Sequence, residues 1–313
     1  MKPMLLVLLM PQLDHIDKQI LNILGNDCRT PYREIAKSLG MSATAIKSRV
    51  DDMVASGVII DFLVEFSPAM VGSEIAAFWL KTDATEDKEQ LVSEIAANRG
   101  VMQITVIHGG DYLVFAEYTS SLELAVLAEA VRSNPHVVST EMHTVLSPRG
   151  KKTSLTNLQL RVLKALLKDA RMLTSDIARE TGLTVRLVRK TLRELKQSEA
   201  INFQLRLRLN VADRVTFLLK LRWDPKQASR EEIMDMITAS YRDEFWETFP
   251  SATDPLLIAA ATVDNINDVD TMTAKIRSYP GILYSEAFIY RPSYRYKSIR
   301  RLCLEEAVQA AGV

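Results

Sequence analysis

The sequence predicts an α+β chain that contains the same unit twice, a three-helix segment followed by a sheet segment. Residues 13–59 align with residues 155–201 at a constant offset of 142, without a gap. After each of these segments, strand-like and helical patterns follow one another in the order β-α-β-β-α-β. Self-similarity at a fixed offset indicates an internal duplication, so the two observations together predict two equivalent pairs of domains.

The alignment keeps the positions on which a helical fold depends. Apolar helix positions, the aspartate and arginine after the first helix, the turn glycine and the helix cap all recur, whereas surface positions differ. The recurring pairs are Ile20 and Val162, Leu21 and Leu163, Asp27 and Asp169, Arg29 and Arg171, Ile35 and Ile177, Gly40 and Gly182, Ser42 and Thr184, and Val50 and Leu192.

Each three-helix segment, followed by one strand, predicts a winged helix-turn-helix domain. In the first copy, Asp14 and Asp17 favour the positive end of a helix dipole, and Pro31 opens the second helix. The predicted elements are helices at 13–29, 32–39 and 42–55 with a strand at 58–66, and their equivalents between 155 and 209.

The second copy has a strongly basic helix at the position that enters the DNA major groove in this motif. Between residues 151 and 208 there are 14 Lys and Arg residues and 5 acidic residues, although the whole chain is neutral. A local patch of this kind is what a polyanion requires, while a solvated basic helix without function is the alternative. The apolar stripe of the helix consists of Leu187, Val188, Leu192 and Leu195.

The candidate DNA-binding residues lie on both recognition helices and on the second wing strand. Arginine can form a bidentate pair with guanine, and lysine acts as a point charge on phosphate. In the first copy, Asp51 and Asp52 balance the basic residues of the helix, so weak DNA contact and a protein-binding role both stay open. The candidates are Thr184, Arg186, Arg189, Lys190, Arg193, Lys196, Arg206 and Arg208 in the second copy, and Ser42, Thr44, Lys47 and Arg49 in the first.

The two sheet segments predict ferredoxin-like domains. In the first, strands are expected at 74–82, 101–107, 112–118 and 137–146, with helices at 87–97 and 122–132; in the second, strands at 215–223, 244–249, 256–263 and 282–291, with helices at 230–240 and 266–278. The resulting segments are an extension at 1–12, helix-turn-helix domains at 13–66 and 150–209, ferredoxin-like domains at 67–149 and 210–292, and a basic, then helical tail at 293–313.

Composition and the remaining motifs argue against several classes of function. Cys28 and Cys303 form neither a disulfide framework nor a metal motif, and the four histidines lack the spacing of metal ligands. The apolar run at 1–10 is too short to span a bilayer and lacks a signal-peptide cleavage region. We therefore expect a cytoplasmic protein without a metal, a cofactor, catalytic residues or a membrane partner.

Four short motifs stand out in the first copy: Leu-Asp-x-x-Asp at 13–17, Asp-x-Arg at 27–29, Ile-Ala-x-x-x-Gly at 35–40, and Arg-Val at 49–50 before Ser-Gly-Val-Ile at 56–59. With these motifs the first copy resembles the Lrp/AsnC family, the feast/famine transcription regulators of bacteria and archaea. In the sheet segment, the Gly-Asp-Tyr loop of that family is matched by Gly109-Gly110-Asp111-Tyr112. The resemblance covers almost the whole chain, closely in the first copy and more loosely in the second.

The resemblance implies a sequence-specific regulator that binds double-stranded DNA and assembles into homo-oligomers through its ferredoxin-like domains. It also implies an effector, an amino acid or another small metabolite, at Gly109, Gly110, Asp111 and Tyr112, where a plain hairpin turn is the alternative. The chain departs from the family in three ways, of which one is the first recognition helix, where Asp51 and Asp52 offset Lys47 and Arg49 and leave no positive excess. Two fused copies imply a pseudo-dimer within one chain, and residues 252–255 (Ala-Thr-Asp-Pro) replace the glycine loop in the second copy.

An enzyme is the rival hypothesis, because siroheme decarboxylases of haem biosynthesis share this two-domain build and fold alone does not decide function. Those enzymes use His and Arg clusters in the second domain. Here the second sheet segment has no histidine and its arginines are dispersed, which favours the regulator. A partner-binding protein that does not bind DNA is a third alternative, against which the charge of residues 151–208 argues.

Overall fold

The computed structural model describes residues 13–208, 214–290 and 293–312, so the extension predicted at 1–12 lies outside the described residues. The predicted fold class is confirmed: two winged helix-turn-helix domains, each followed by a ferredoxin-like domain. The elements of the first copy are α1 (His15–Asn26), α2 (Tyr32–Leu39), α3 (Ala43–Ala55), β1 (Ile59–Phe66), α4 (Pro68–Val71), β2 (Glu74–Thr82), α5 (Lys88–Ala96), β3 (Val101–Val106), β4 (Asp111–Tyr118), α6 (Ser121–Arg132) and β5 (Val137–Val145). Those of the second copy and the tail are α7 (Asn157–Leu166), α8 (Thr174–Thr181), α9 (Val185–Gln197), β6 (Ile201–Leu207), β7 (Val215–Trp223), α10 (Arg230–Ser240), β8 (Phe245–Pro250), β9 (Leu256–Val263), α11 (Ile266–Arg277), β10 (Ile282–Ile289), β11 (Tyr294–Arg295) and α12 (Ile299–Ala310).

Local sequence signals set most helix boundaries. The side chains of Asp14 and Asp17 each accept a hydrogen bond from the backbone N–H of the other, which satisfies two donors that a helix start leaves unpaired. Gly40 and Gly182 end α2 and α8 with φ of 66°, a left-handed conformation that glycine adopts without steric cost. The first helix, predicted to extend to residue 29, ends instead at Asn26.

Two arginines, one in each segment that follows α1 and α7, reach across to the opposite copy. Arg29 donates to the carbonyl oxygen of Ala170. Its repeat equivalent, Arg171, donates to the carbonyl oxygens of Cys28 and Thr30, the latter at 3.1 Å. The two contacts are related by a pseudo-twofold axis between the copies, so the duplicated arginines hold the two helix-turn-helix domains together.

The strand that follows each helix-turn-helix pairs with its counterpart in the other copy. β1 and β6 form a two-stranded antiparallel ribbon that runs from Ile59 opposite Leu207 to Phe66 opposite Ile201. Phe66 and Phe203 of this ribbon are buried in the core of the second helix-turn-helix. The sequence pattern predicted each strand, whereas the partner of each strand became visible only in the structure.

Both sheet domains have the strand order of a ferredoxin-like fold. The order is β3-β4-β2-β5 in the first sheet and β8-β9-β7-β10 in the second, with antiparallel neighbours throughout, and β11 extends the first sheet beyond β3. One face of each sheet packs on the two helices of its own domain. The strand predicted at 282–291 ends at Ile289 in the structure.

The other faces of the two sheets pack against each other. Trp79 and Phe115 of the first sheet contact Phe288 and Phe249 of the second, with ring centroids 4.6 and 4.4 Å apart. Phe78, the neighbour of Trp79 on β2, lies in the core of its own domain, because successive side chains of a strand point to opposite faces. The two copies therefore form within one chain the pseudo-dimer that the fusion implies.

Glu141 on β5 belongs to a polar cluster beside this contact between the sheets. It accepts hydrogen bonds from Lys220 and, at 3.3 Å, from Arg222, and its Oε1 lies 2.8 Å from His143 Nε2. Burial alone would raise the pKa of Glu141, but the hydrogen bonds and charges of Lys220 and His143 outweigh burial and lower the pKa to about 2.

We expect acid to weaken the contact between the sheets through Glu141. A carboxyl group with a lowered folded-state pKa contributes stability above its unfolded pKa of about 4.3. That contribution is lost as the pH falls towards the folded-state pKa. Between about pH 5 and pH 2 the wild-type free energy of unfolding should therefore fall faster than that of Glu141→Gln. Urea midpoints followed by circular dichroism across this range test the prediction, and parallel pH profiles of the two proteins would contradict it.

The tail, predicted to be basic and then helical, connects three parts of the molecule. α12 packs on β1, α4 and α7, and its Leu304 is buried in the core of the second helix-turn-helix. Arg300 is 6% exposed and pairs with Glu65 of β1 at 2.7 Å and with Glu117 of β4. One buried guanidinium therefore links the tail to both the ribbon and the first sheet.

Candidate nucleic-acid interface

Exposed basic side chains form one face of α9. They are spaced i, i+3, i+4 and i+7, which places them on the same side of the helix over two turns. Glu194 lies 3.7 Å from one of them, Lys190. We call the set the α9 basic face, and its residues are Arg186, Arg189, Lys190 and Arg193.

The opposite side of α9 is fixed in the domain core. Val188 and Leu195 are buried, as the apolar stripe predicted, and Thr191 is buried with them while Leu187 is half-buried. The hydroxyl of Thr191 donates to the Leu187 carbonyl oxygen at 3.0 Å. Thr184 caps the helix by accepting from the Leu187 N–H at 3.3 Å. Packing and capping thus present the basic face on a rigid element.

The equivalent face of α3 has no positive excess. Lys47 pairs with Asp51, and Arg49 donates to Asp14 at 2.8 Å and to Asp17 at 2.7 Å. Both basic side chains of α3 therefore have carboxylate partners, and the predicted Ser42 serves as the helix cap. The positions on α3 that align with the α9 basic face in the repeat are occupied, in the same order, by Thr44, Lys47, Ser48 and Asp51.

Three other candidate residues lie outside the α9 basic face. Lys196 pairs with Asp27 of the first copy at 2.6 Å. Arg206 binds both carboxylate oxygens of Asp61 on β1, with its Nε 2.9 Å from Oδ1. Arg206 and Arg208 both line a cleft between the copies. Lys196 and Arg206 thus have partners from the other copy, which a sequence pattern does not reveal.

The segment that we call the loop of residues 109–112 consists of two glycines of the turn between β3 and β4 and the first two residues of β4. Gly109 and Gly110 have φ of 100° and 95°, conformations that favour glycine. Asp111 accepts a hydrogen bond from Trp79 Nε1 at 2.9 Å, and the fully buried Tyr112 donates its hydroxyl to a carboxylate at 2.8 Å. The side chains of Asp111 and Tyr112 hold the loop together with two hydrogen bonds from Thr82 to the Gly110 carbonyl oxygen, and Gly109 is its exposed residue.

Sequence reasoning missed a cleft of about 880 Å³ between α1, β6, α10 and β8. Its walls come from the first helix-turn-helix, from the ribbon and from both sheet domains. No local sequence signal marks such a site, because residues far apart in the chain form it together.

Within the described ranges, no group of three or more His, Cys, Asp or Glu residues is arranged to hold a metal ion. In the same part of the chain, no helix combines the length and the apolar character that crossing a membrane requires.

The fold and the α9 basic face define a DNA-binding protein of the helix-turn-helix class with ferredoxin-like domains attached. A profile described as the AsnC-type helix-turn-helix domain matches residues 13–54, and one described as winged helix-turn-helix DNA-binding matches residues 155–202. The HTH-type transcriptional regulator FL11 of Pyrococcus horikoshii is 31% identical over 144 residues, which cover 46% of this chain and 95% of FL11. The chain belongs to the Lrp/AsnC family of transcription regulators.

Two further comparisons describe the family and the fold. The HTH-type transcriptional regulator LrpA of Pyrococcus horikoshii is 32% identical over 104 residues, which cover 33% of this chain and 73% of LrpA. Over the full length, the solved structure of the siroheme decarboxylase NirDL superposes with a TM-score of 0.56 at 15% identity, covering 96% of this chain and 100% of NirDL. That likeness shows that the tandem architecture is shared with an enzyme.

Proposed function

We propose that this regulator binds duplex DNA through the α9 basic face of its second helix-turn-helix, while the first domain acts mainly as a structural partner. The observation that supports the proposal is the unequal pairing of charge on the two recognition helices. Arg186, Arg189 and Arg193 have no carboxylate within ion-pair distance among the described residues, whereas Lys47 and Arg49 both have one. An unpaired cation is available for phosphate or a base edge without first breaking an ion pair.

In a helix-turn-helix, residues near the start of the recognition helix contact base edges. Arg186 and Arg189 are therefore assigned to base edges or adjacent phosphates, and Arg193, a turn further along, to the backbone. With one strong recognition helix per chain, a two-half-site operator requires two chains. Because the sheet faces pack together within the chain, such a homo-oligomer would use other surfaces of the ferredoxin-like domains.

Binding to fragments of the promoter of its own gene, measured by fluorescence anisotropy over a series of salt concentrations, tests the proposal. We expect sequence-dependent binding. The logarithm of the association constant should fall linearly and steeply with the logarithm of salt concentration, because phosphate contacts release counterions. Absence of binding at low salt would refute the proposal.

We also propose that the loop of residues 109–112 contributes to an effector site for an amino acid, as the family resemblance implies. Gly109 is exposed and its backbone supplies the recognition groups, whereas the Gly110 carbonyl oxygen already accepts from the Thr82 N–H at 3.2 Å and from the Thr82 hydroxyl at 2.7 Å. A ligand that binds the folded state at 100 times its dissociation constant stabilises that state by about 2.7 kcal/mol. The melting temperature should therefore rise with at least one of the twenty amino acids, and Asp111→Asn should reduce the rise. Equal shifts in both proteins would place the effector elsewhere.

Decarboxylation of a tetrapyrrole is the second candidate function, and the full-length superposition on NirDL supports it. Arginines line the large cleft, but none of its described lining residues is a histidine. An absorption titration with an iron-uroporphyrin III analogue separates the hypotheses. A stoichiometric shift of the porphyrin band would favour the enzyme, and an unchanged spectrum would favour the regulator.

A further inference from the structure

The cleft between α1, β6, α10 and β8 has a counterpart that the chain itself fills. α12 packs on α7 and β1, and the tail reaches β3 and β4 through Tyr296, whose N–H donates to the Met102 carbonyl oxygen, and through the Arg300 pair with Glu117. The repeat relates α7, β1, β3 and β4 to α1, β6, β8 and β9, and residues of these four elements line the cleft. α12 therefore occupies one of two pseudo-symmetric positions, and the cleft is the other.

The position that α12 fills is acidic. Glu65 and Glu117 are both buried there, and they receive the guanidinium of Arg300 and the hydroxyl of Ser298. An element with a cation at its start thus neutralises a pair of carboxylates that would otherwise be costly to bury.

The open cleft has the opposite charge. One of its arginines, Arg206, is neutralised by Asp61. For the others, no carboxylate lies within ion-pair distance among the described residues. Glu247 is the sole acid among the described lining residues, so the cleft has a positive excess. The three arginines that give the cleft its positive charge are Arg208, Arg242 and Arg295.

The rest of the lining combines aromatic and aliphatic side chains with amides and hydroxyls. Tyr241, Trp246, Phe249 and Tyr290 all contribute to the walls. Burial, followed by the charge of Glu247, raises the pKa of Tyr290 to about 12, so its phenol is a neutral hydrogen-bond donor near pH 7. The volume of about 880 Å³ is in the range of sites for drug-sized ligands.

We propose that this cleft binds a small molecule that combines an aromatic body with a carboxylate, whose charge is held by Arg208, Arg242 and Arg295. Arginine and carboxylate form charge-assisted, often bidentate hydrogen bonds, and aromatic rings pack on an aromatic lining in offset or edge-to-face contacts. The ligand occupies the cleft as α12 occupies the pseudo-symmetric position, but with the opposite charge, because the cleft is basic and the position of α12 is acidic. The site is separate from the loop of residues 109–112.

Isothermal titration calorimetry of the full-length protein with 2-naphthoate, in the absence of DNA, tests the proposal, and 2-naphthamide is the uncharged control. We expect one molecule of naphthoate to bind per chain. Loss of a charge-assisted hydrogen bond weakens binding by about tenfold or more. A loss of that size is expected for naphthamide and for Arg242→Ala/Arg295→Ala, whereas Arg33→Ala, at an exposed position on α2, should bind like wild type.

A second variant blocks the cleft without removing charge. Gly25 lies on the part of α1 that lines the cleft, and a Cβ added there meets no atom within 4 Å. Gly25→Phe should therefore fold and abolish binding of naphthoate. Wild-type affinity in Gly25→Phe or in the double arginine variant, or no binding of naphthoate to the wild type, would overturn the proposal. Since the titration contains no DNA, its outcome does not depend on the role of α9.

Discussion

Replacing Arg186, Arg189 and Arg193 together by alanine is expected to weaken DNA binding and to flatten its dependence on salt. Each phosphate contact contributes about 0.9 to the slope of log K against log salt concentration in B-DNA. Three lost phosphate contacts would therefore reduce the slope by about 2.7. If one of the arginines instead forms a bidentate pair with a base, its loss costs about 1–3 kcal/mol, at least a several-fold loss of affinity, together with discrimination at that base. Anisotropy titrations of wild type and variant over the same salt series measure both quantities.

The duplication supplies a matched control for this experiment. Lys47 is the repeat equivalent of Arg189 and pairs with Asp51, so Lys47→Ala should leave affinity and salt slope close to wild type. Asp51 corresponds to Arg193, and Asp51→Arg should give α3 a positive excess and steepen the slope. An unchanged slope in the triple alanine variant would remove the α9 basic face from the interface. An equal loss in Lys47→Ala would show that both helices bind.

Arg300→Ala is expected to lower the free energy of unfolding by about 3–5 kcal/mol, the cost of leaving buried charge without its partner. Glu65 is 6% exposed and Glu117 1% exposed, so neither carboxylate can recover its hydration when the guanidinium is removed. Burial already raises the pKa of Glu65 against the effect of Arg300. Removing the guanidinium should raise that pKa further, and part of the lost stability should return as the pH falls and the Glu65 carboxylate binds a proton. Urea denaturation followed by circular dichroism measures the change.

Lys297→Ala is the control for Arg300→Ala. Its ion pair with Glu305, at 2.8 Å, is largely exposed on the lysine side, so its loss should change the free energy of unfolding by no more than about 0.5 kcal/mol. A triple variant, Glu65→Gln/Glu117→Gln/Arg300→Met, should recover much of the stability because it removes the charges together. A loss below about 1 kcal/mol in Arg300→Ala would mean that water reaches these carboxylates.

The unequal charge of the two copies supports the proposed division of roles between them. The first copy keeps the loop of residues 109–112, and its α3 holds its cations in ion pairs. On α9 of the second copy, Arg186, Arg189 and Arg193 have no carboxylate partner among the described residues. Lys196 contributes to the contact between copies through Asp27, although its position on the basic helix alone favoured DNA contact.

The sequence by itself determined the duplication, the class of fold and the positions of most helices and strands. Periodicity, the glycine at residue 182 and the caps at Ser42 and Thr184 are local signals, and each acts within a few residues of the element that it controls. Net charge along the chain likewise distinguished the α9 basic face from its counterpart on α3. These properties depend on neighbouring residues, which a linear sequence displays directly.

Only the tertiary structure decided which groups meet across the two copies. Four features join residues more than a hundred positions apart in the chain. They are the reciprocal hydrogen bonds of Arg29 and Arg171, the pairing of β1 with β6, the burial of Arg300 between two carboxylates, and the cleft beside α1. A periodic pattern states that a side chain faces inward or that a strand forms, but it does not name the partner, because the partner is selected by packing of the whole chain. The same physical reason separates an arginine without a carboxylate partner among the described residues, such as Arg189, from one that already has a partner, such as Arg206.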